Sequence, residues 1–208
     1  RRDLEARGFE RMMSWTRGVD TDLFRPRDIR LFGSDEPVLL YVGRVAIEKN
    51  IKAFLDLDVA GRKVVVGSGP MLETYKAAYP GVTFTGKLVG EALADAYASA
   101  DVFVFPSLTD TFGIVLLEAI ASGVPVAAFP VTGPIDNVTP GVTGALNEDL
   151  AVAVSAALEL DRAKVREGAL SFSWENAARM FIGNIENALF ARQGRRLPQR
   201  KHLLQNRN

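Results

Sequence analysis

Two cationic side chains lie five residues apart directly after a short apolar run. Arg44 and Lys49 follow Val38–Val42, and Gly43 separates the run from Arg44. A glycine lets the backbone approach a ligand closely, and cations beside the start of a helix can bind a diphosphate through charge-assisted hydrogen bonds. This segment therefore suits a diphosphate, although ion pairing at the surface would equally explain both cations.

Two carboxylates form a second pattern, since Asp110 and Glu118 lie eight residues apart. On one helix they would be about 80° apart around the axis and about 12 Å apart along it. They could then hold opposite ends of an extended ligand, but they could not share a proton. The amides from Thr111 to Gly113, at the start of that helix, would face a phosphate. Alternatively, Asp110 is simply the N-cap of the helix.

Two glycine-containing segments also follow apolar runs. The segment Gly67–Pro70 reads Gly-Ser-Gly-Pro and resembles the start of a dinucleotide-binding loop, but it lacks the third glycine of that motif. A tight turn from a strand into a helix is therefore the stronger interpretation. Gly86 and Lys87 follow another run, and backbone groups there could hydrogen-bond the edge of a nucleobase.

Short apolar runs alternate with helix-like stretches along the chain. The predicted strands are Val38–Val42, Lys63–Val66, Val82–Phe84, Val102–Phe105 and Val126–Phe129. The predicted helices are Asn50–Leu57, Met71–Ala78, Glu91–Ser99, Gly113–Ala121, Asp149–Leu160 and Trp174–Phe190. This alternation predicts an α/β fold with a doubly wound parallel sheet. Ligands of such sheets bind outside the carboxyl ends of the strands, where the four segments above are found.

Composition excludes several classes of chemistry. The 208 residues include 25 Lys and Arg against 25 Asp and Glu, so no net charge indicates a nucleic-acid partner. There is no cysteine, and the only histidine is His202. Disulfides, thiolate nucleophiles and His-based triads are therefore excluded, and we expect no metal site. No apolar run approaches the roughly 20 residues that span a bilayer.

The end of the chain differs from the rest in charge. Residues 191–208 carry six basic side chains and no acidic one. This composition is typical of a solvated tail, and peripheral contact with a membrane surface is the alternative. The chain does not begin with methionine, so we expect it to be part of a longer protein. We expect a cytoplasmic location, with association with a membrane as the alternative.

Taken in order, these segments resemble motifs of the GT-B glycosyltransferases of family 4, the group 1 glycosyl transferases. Residues 42–50 resemble the "GR…EKN" loop of that family, and Asp110–Glu118 resembles its E-x7-E motif with Asp in the first position. Residues 121–126 resemble its A-x-G-x-P-V turn, and residues 17–26 resemble the segment that joins its two domains. Gly133-Pro134 and residues 141–144 resemble the family's later glycine turns, so the match covers roughly residues 17–190.

The resemblance implies the C-terminal, donor-binding half of a GT-B fold, with a Rossmann-like sheet. Residues 1–26 would be a remnant of the interdomain segment, residues 27–190 a nucleotide-sugar-binding domain ending in a long helix, and residues 191–208 a basic tail. The activity would be retaining transfer from a UDP- or GDP-linked sugar to a glycan or glycolipid. An N-terminal domain, absent from this chain, would bind most of the acceptor, and no cofactor is implied.

The resemblance also implies a role for each candidate residue. Arg44 and Lys49 would bind the diphosphate and stabilise the leaving group, while Asp110 would contact the transferred sugar. Glu118 would accept hydrogen bonds from the ribose. The other substrate-binding residues would be Gly43, Gly67, Gly86, Lys87, Thr111, Phe112 and Gly113, with Gly86 and Lys87 near the base.

Two other functions fit the same fold class. One is a GT-B isomerase or phosphorylase-like enzyme. A UDP-sugar epimerase of this architecture would need catalytic carboxylates and a histidine supported by both domains, and the single histidine in the tail argues against it. A non-catalytic nucleotide-binding module predicts the loss of Arg44, Lys49 or Glu118, and all three are present. A glycosyltransferase is therefore the favoured interpretation.

Overall fold

The computed structural model describes residues 2–10, 12–33 and 35–192. The chain divides into two compact units, one formed by Val19–Ser173 and the other by the described parts of Arg1–Gly18 and Trp174–Asn208. The bounds of these units differ from those of the three segments predicted from the sequence. The predicted basic tail from residue 193 onward, with His202, lies outside the described residues.

The larger unit is built on six parallel strands. They are β1 (Val38–Val42), β2 (Arg62–Val66), β3 (Thr83–Gly86), β4 (Val102–Phe105), β5 (Val126–Ala128) and β6 (Gly144–Leu146). Their order across the sheet is β3-β2-β1-β4-β5-β6. The predicted doubly wound parallel α/β sheet is confirmed, with one strand more than the five that the sequence indicated.

Helices alternate with the strands in the larger unit, and the first and last described helices belong to the smaller unit. The helices are α1 (Arg2–Ala6), α2 (Ile51–Leu55), α3 (Leu72–Ala78), α4 (Gly90–Ala98), α5 (Ile114–Ala121), α6 (Pro134–Asn137), α7 (Leu150–Leu158), α8 (Arg162–Ala169) and α9 (Trp174–Arg192). Short 3-10 helices span Ile47–Lys49 and Leu170–Phe172. Each predicted helix is present, with its ends shifted by at most two residues. None of the described helices is long and apolar enough to cross a membrane.

The central strands are buried on both faces, which is why their sequences are continuous apolar runs. Every residue of β1 and β4 is buried. Leu40 and Phe103 belong to the core on one face of the sheet, and Leu39 and Val104 belong to the core on the other. The core positions the carboxyl ends of these two strands side by side.

Four short elements were not predicted, namely α1, α6, β6 and α8. Strand β6 has three residues, begins with Gly144 and lies at the edge of the sheet, so it carries little apolar signal. Helix α8 buries only Val165 and Ala169, but its N-cap is Asp161, whose carboxylate accepts the Ala163 amide at 2.9 Å. That cap was the available signal for this helix.

The smaller unit pairs helix α9 with the segment before residue 19. Trp15 Nε1 donates to the Ala177 carbonyl at 3.1 Å, and the rings of Trp15 and Phe181 lie 5.1 Å apart between centroids. Asn184 Nδ2 donates to the Ser14 carbonyl at 2.8 Å. Phe181 of this helix therefore packs within its own unit.

The loops after β1 and β2 are joined through their backbones. The Val45 amide donates to the Ser68 carbonyl at 3.0 Å. A Cβ atom on Gly67 would lie 1.8 Å from the Gly43 carbonyl oxygen, and one on Gly69 would lie 2.3 Å from the Val45 carbonyl oxygen. Glycine is therefore required at both positions by close backbone approach, as expected for a tight turn between a strand and a helix.

We predict that Gly67→Ala lowers the free energy of unfolding by more than about 1 kcal/mol, because the two loops must separate to admit the methyl group. Urea unfolding followed by circular dichroism measures the change. Gly81→Ala is the matched control, since a Cβ atom there meets nothing within 4 Å. Equal stability of the two variants would show that the loops tolerate separation.

Candidate functional site

The order of the strands creates a crevice at one edge of the sheet. The chain runs outward from β1 to β3 on one side and from β4 to β6 on the other, so the loops after β1 and β4 leave in opposite directions. Ligands of doubly wound sheets bind at this switch point. Lys49, in the loop after β1, meets Asp110, in the loop after β4, with Nζ 2.9 Å from Oδ2.

The ion pair of Lys49 and Asp110 is partly shielded from water, since the exposed fractions of the two side chains are 32% and 15%. Burial raises the pKa of Asp110, but hydrogen bonds from the Lys49 ammonium and from the Phe112 amide outweigh burial and lower this pKa below its ordinary value. The amide nitrogen of Phe112 lies 3.2 Å from Oδ1. Asp110 is therefore an ionised hydrogen-bond acceptor at neutral pH.

Asp110 does not lie on the helix that carries Glu118, which corrects the predicted geometry. Helix α5 begins at Ile114, and its N-cap is Gly113 in the left-handed conformation, with φ 73° and ψ 64°. The predicted spacing of about 80° and about 12 Å therefore does not describe this pair, and Asp110 is not the N-cap. The Phe112 amide, which is among those predicted to face a phosphate, donates to Asp110 in this structure.

A cleft of about 510 Å³ opens at the same edge of the sheet, beside the first three strands. Its lining residues are Val42, Gly43, Arg44, Val66, Gly67, Ser68, Gly69, Pro70, Lys87 and Leu88. The predicted site residues that it brings together are Gly43, Arg44, Gly67 and Lys87. Gly86 directly precedes Lys87, and its carbonyl accepts the Gly67 amide at 2.8 Å.

The remaining predicted site residues lie outside this cleft. Lys49 and Asp110 face each other at the switch point, with Thr111–Gly113 next to Asp110 in the chain. Glu118 is one turn into α5. The structure thus separates the predicted residues into a cleft group and a switch-point group, and the loop from Gly43 to Lys49 contributes to both.

Arg44 is held by an ion pair at the surface. Its guanidinium lies 3.1 Å from the Glu48 carboxylate, and both side chains are largely exposed. Such pairs contribute about 0–1 kcal/mol to stability. Arg44 can therefore exchange Glu48 for a ligand anion at little cost.

Glu118 is held by a tyrosine that was not among the predicted site residues. Tyr97 Oη, on α4, donates to Glu118 Oε2 at 2.8 Å. Tyr97 is fully buried between the rings of Phe24 and Phe103, whose centroids each lie 5.7 Å from its own. Burial raises the pKa of Glu118, and the hydrogen bond from Tyr97 opposes that rise. Tyr97 lies among the buried alanines of α4. A buried tyrosine hydroxyl needs a hydrogen-bond partner, so this feature of the sequence could have indicated the contact.

The loop after β5 supports the segment that carries Asp110. Asn137, at the end of α6, is buried and donates its side-chain amide to the Phe112 carbonyl. A Cβ atom on Gly133 would lie 3.6 Å from the Cβ of Asp110, so this glycine turn lies directly against the carboxylate segment. Asn137 was not predicted as a site residue, and nothing in its local sequence indicates this contact.

A second cleft, of about 270 Å³, lies at the opposite, amino edge of the sheet. Arg27, Arg30 and Arg162 line it, and each pairs with a nearby carboxylate. Arg30 and Arg162 share Asp101, which also accepts the Val38 amide at 2.8 Å. The charges of this cleft are therefore largely compensated within the protein.

A family model described as "Glycosyl transferases group 1" matches residues 36–160, more than half of the chain. The chain belongs to the group 1 glycosyltransferase family. The resemblance carried by the sequence motifs is thereby confirmed.

Two relatives of this group 1 chain illustrate the range of the family. A GDP-mannose-dependent alpha-mannosyltransferase of Mycobacterium tuberculosis is 41% identical over 151 residues, which are 69% of this chain and 40% of the relative. The sulfoquinovosyl transferase SQD2 of Arabidopsis thaliana is 40% identical over 127 residues, 55% of this chain and 25% of the relative. The chain thus spans less than half the length of these relatives.

Solved structures agree with the fold. The sucrose-phosphate synthase of Thermosynechococcus elongatus, 32% identical, superposes with a TM-score of 0.69 over 85% of this chain and 52% of its own. A lipopolysaccharide outer core galactosyltransferase, WaaB in its apo form, superposes with a TM-score of 0.70 at 20% identity, over 92% of this chain and 59% of its own. At 20% identity, the similarity to WaaB concerns the fold alone.

Tyr97→Phe removes the hydroxyl that donates to Glu118 and leaves a half-buried carboxylate without that partner. We expect the free energy of unfolding to fall by about 1–3 kcal/mol, measured by urea unfolding at pH 7. Tyr75→Phe is the matched control, because the Tyr75 ring is also buried and no hydrogen bond of its hydroxyl is found among the described residues. A loss as large in the control would contradict a specific role for the Tyr97 hydroxyl.

Proposed function

We propose that the larger unit binds the nucleotide-diphosphate sugar donor of a glycosyltransferase. The observation that carries this proposal is the cleft of about 510 Å³ at the carboxyl edge, lined by the loops after β1, β2 and β3. Ligand pockets typically enclose roughly 300–1,000 Å³. The cleft lies beside the switch point, where Lys49 and Asp110 meet, so a donor could lie in the cleft and reach the pair.

Two cations are available for the charge that develops in the reaction. Sugar transfer breaks the bond between the anomeric carbon and a phosphate oxygen and forms a bond from that carbon to an acceptor hydroxyl oxygen. Negative charge grows on the departing diphosphate, which can take up the proton that the hydroxyl loses. Arg44 and Lys49 would stabilise that charge through charge-assisted hydrogen bonds. The Lys49 ammonium would have to exchange Asp110 for the phosphate, and the exposed Arg44 would exchange Glu48.

Asp110 would then accept hydrogen bonds from hydroxyls of the transferred sugar. Its lowered pKa supports this role, because an ionised carboxylate is a strong acceptor and remains ionised at neutral pH. A transferase that uses an α-linked donor and forms an α-linkage retains the configuration at the anomeric carbon. The resemblance implies this retaining outcome, and we include it in the proposal.

Two mannosyltransferase relatives favour a guanine nucleotide over a uracil nucleotide. Mannosyltransferases named as GDP-mannose-dependent are 41% and 39% identical to this chain, from Mycobacterium tuberculosis and Corynebacterium glutamicum. We therefore propose GDP-mannose as the donor. Because the chain spans 40% and 37% of these relatives, we propose that a glycan or glycolipid acceptor is bound largely by a domain that this chain does not contain.

We also propose that the donor binds without a metal ion, since Arg44 and Lys49 can supply the positive charge. Among residues 2–10, 12–33 and 35–192, no group of three His, Cys, Asp or Glu side chains could hold a metal. Calorimetric titration with GDP, UDP and ADP, with and without EDTA, tests the proposal. We expect GDP to bind most tightly and EDTA to have no effect. Absence of binding by all three nucleotides would contradict donor binding.

Arg44→Ala and Lys49→Ala should each weaken GDP binding about tenfold to a hundredfold, because a hydrogen bond to a charged group contributes roughly 1.5–3 kcal/mol. Calorimetry measures the affinity, and the melting temperature shows that the variants remain folded. Lys164→Ala, an exposed lysine on α8, is the matched control and should bind like the unmodified protein. Normal affinity in both site variants would refute the diphosphate assignment.

Glu118→Gln separates a ribose-binding role from a scaffold role. If Glu118 accepts hydrogen bonds from the ribose, the variant should bind GDP about five- to thirtyfold more weakly, since about 1–2 kcal/mol is lost. The 2′,3′-dideoxy analogue of GDP lacks those hydroxyls, so its affinity should hardly change. Equal losses for both ligands, together with a lower melting temperature, would leave Glu118 as part of the scaffold.

A further inference from the structure

We propose that Asn50 is a positioning residue that holds Lys49 opposite Asp110 by linking the loops after β1 and β4. This proposal rests on the proposed function insofar as Lys49 is the residue that binds the donor diphosphate. Asn50 itself would touch neither donor nor acceptor.

The backbone conformation at Asn50 is the first observation. Asn50 is the only non-glycine residue with a positive φ in the described part of the chain, with φ 49° and ψ 28°. It joins the 3-10 helix Ile47–Lys49 to α2, and its own amide donates to the Ile47 carbonyl at 2.9 Å. Left-handed backbone is unfavourable for residues with a side chain, and asparagine tolerates it better than most.

The hydrogen bond made by the Asn50 side chain is the second observation. Its Nδ2 donates to the Pro106 carbonyl at 2.9 Å. Next to it, Ser107 Oγ donates to the Lys49 carbonyl at 3.4 Å, and Ser107 is only 1% exposed. Lys49 and Asn50, in the loop after β1, are thus hydrogen-bonded to two consecutive residues of the loop after β4.

The pairing between β1 and β4 shows why such links matter. The register of β1 with β4 covers Leu39↔Val102 and Leu40↔Phe103, whereas that of β1 with β2 runs from Val38↔Arg62 to Val42↔Val66. The strands that flank the switch point therefore stop pairing before the loops begin. Beyond that point, the contacts of Asn50 and Ser107 join the two loops and set the distance between them.

Glycine would satisfy the backbone at this position as well as asparagine does. It adopts left-handed φ values readily, so the conformation alone does not require an amide side chain. What asparagine adds is the bond to Pro106. Asn50→Gly therefore removes the hydrogen bond to Pro106 while it preserves the backbone conformation and the Ser107 hydrogen bond, and it is the informative variant.

The first test needs no ligand. The pKa of the Asp110 carboxyl is followed by ¹³C NMR in the unmodified protein, in Asn50→Gly and in Lys49→Ala. If Asn50 positions Lys49, Asn50→Gly raises this pKa part of the way toward its value in Lys49→Ala, because the ammonium moves away from the carboxylate. An unchanged pKa in Asn50→Gly overturns the proposal, whatever happens to the melting temperature.

The second test is a double-mutant cycle on GDP affinity. Asn50→Gly should weaken GDP binding about five- to tenfold in the unmodified protein and should have no further effect in the Lys49→Ala background. The same fold-loss in both backgrounds would mean that Asn50 acts independently of Lys49, which contradicts the proposal. If the unmodified protein does not bind GDP, the proposed function fails, and the pKa of Asp110 alone decides the role of Asn50.

Discussion

Strands β1 and β4 stop pairing at Leu40 and Phe103. The site depends on the contacts that join the loops beyond that point. The reversal of strand order sends the following loops apart, which opens a crevice at the carboxyl edge. The Lys49–Asp110 ion pair, at 2.9 Å, bridges the crevice. The bond from Asn50 to Pro106 joins the same two loops through neutral groups.

On the side of β1 and β2, the carboxyl edge of the sheet is built by contacts between the backbones of two loops. Gly67 and Gly69 allow the loops after β1 and β2 to approach so closely that no side chain fits between them. This packing fixes the backbone of the cleft, while the cation Arg44 is held by an exposed ion pair. The edge therefore combines a closely packed backbone with an exposed cation.

The sequence predicts the positions of some residues in the fold but not the contacts of others. The bounds of β1 and β4 follow from the sequence because both strands are buried throughout and read as unbroken apolar runs. Lys49 and Asp110 were both identified as candidates, but the position of Asp110 outside α5 depends on the left-handed turn at Gly113. The links from Tyr97 to Glu118 and from Asn50 to Pro106 join residues that are far apart in the chain, and no local pattern specifies such pairs.

A titration of ¹⁵N-labelled protein with GDP, followed by amide NMR, tests the location of the proposed donor site most directly. Binding at the carboxyl edge predicts shifts in the amides of Gly43, Gly67 and Lys87, with the amides near Arg27 and Arg162 at the amino edge unchanged. Shifts confined to the amino-edge cleft would contradict the assignment of the site.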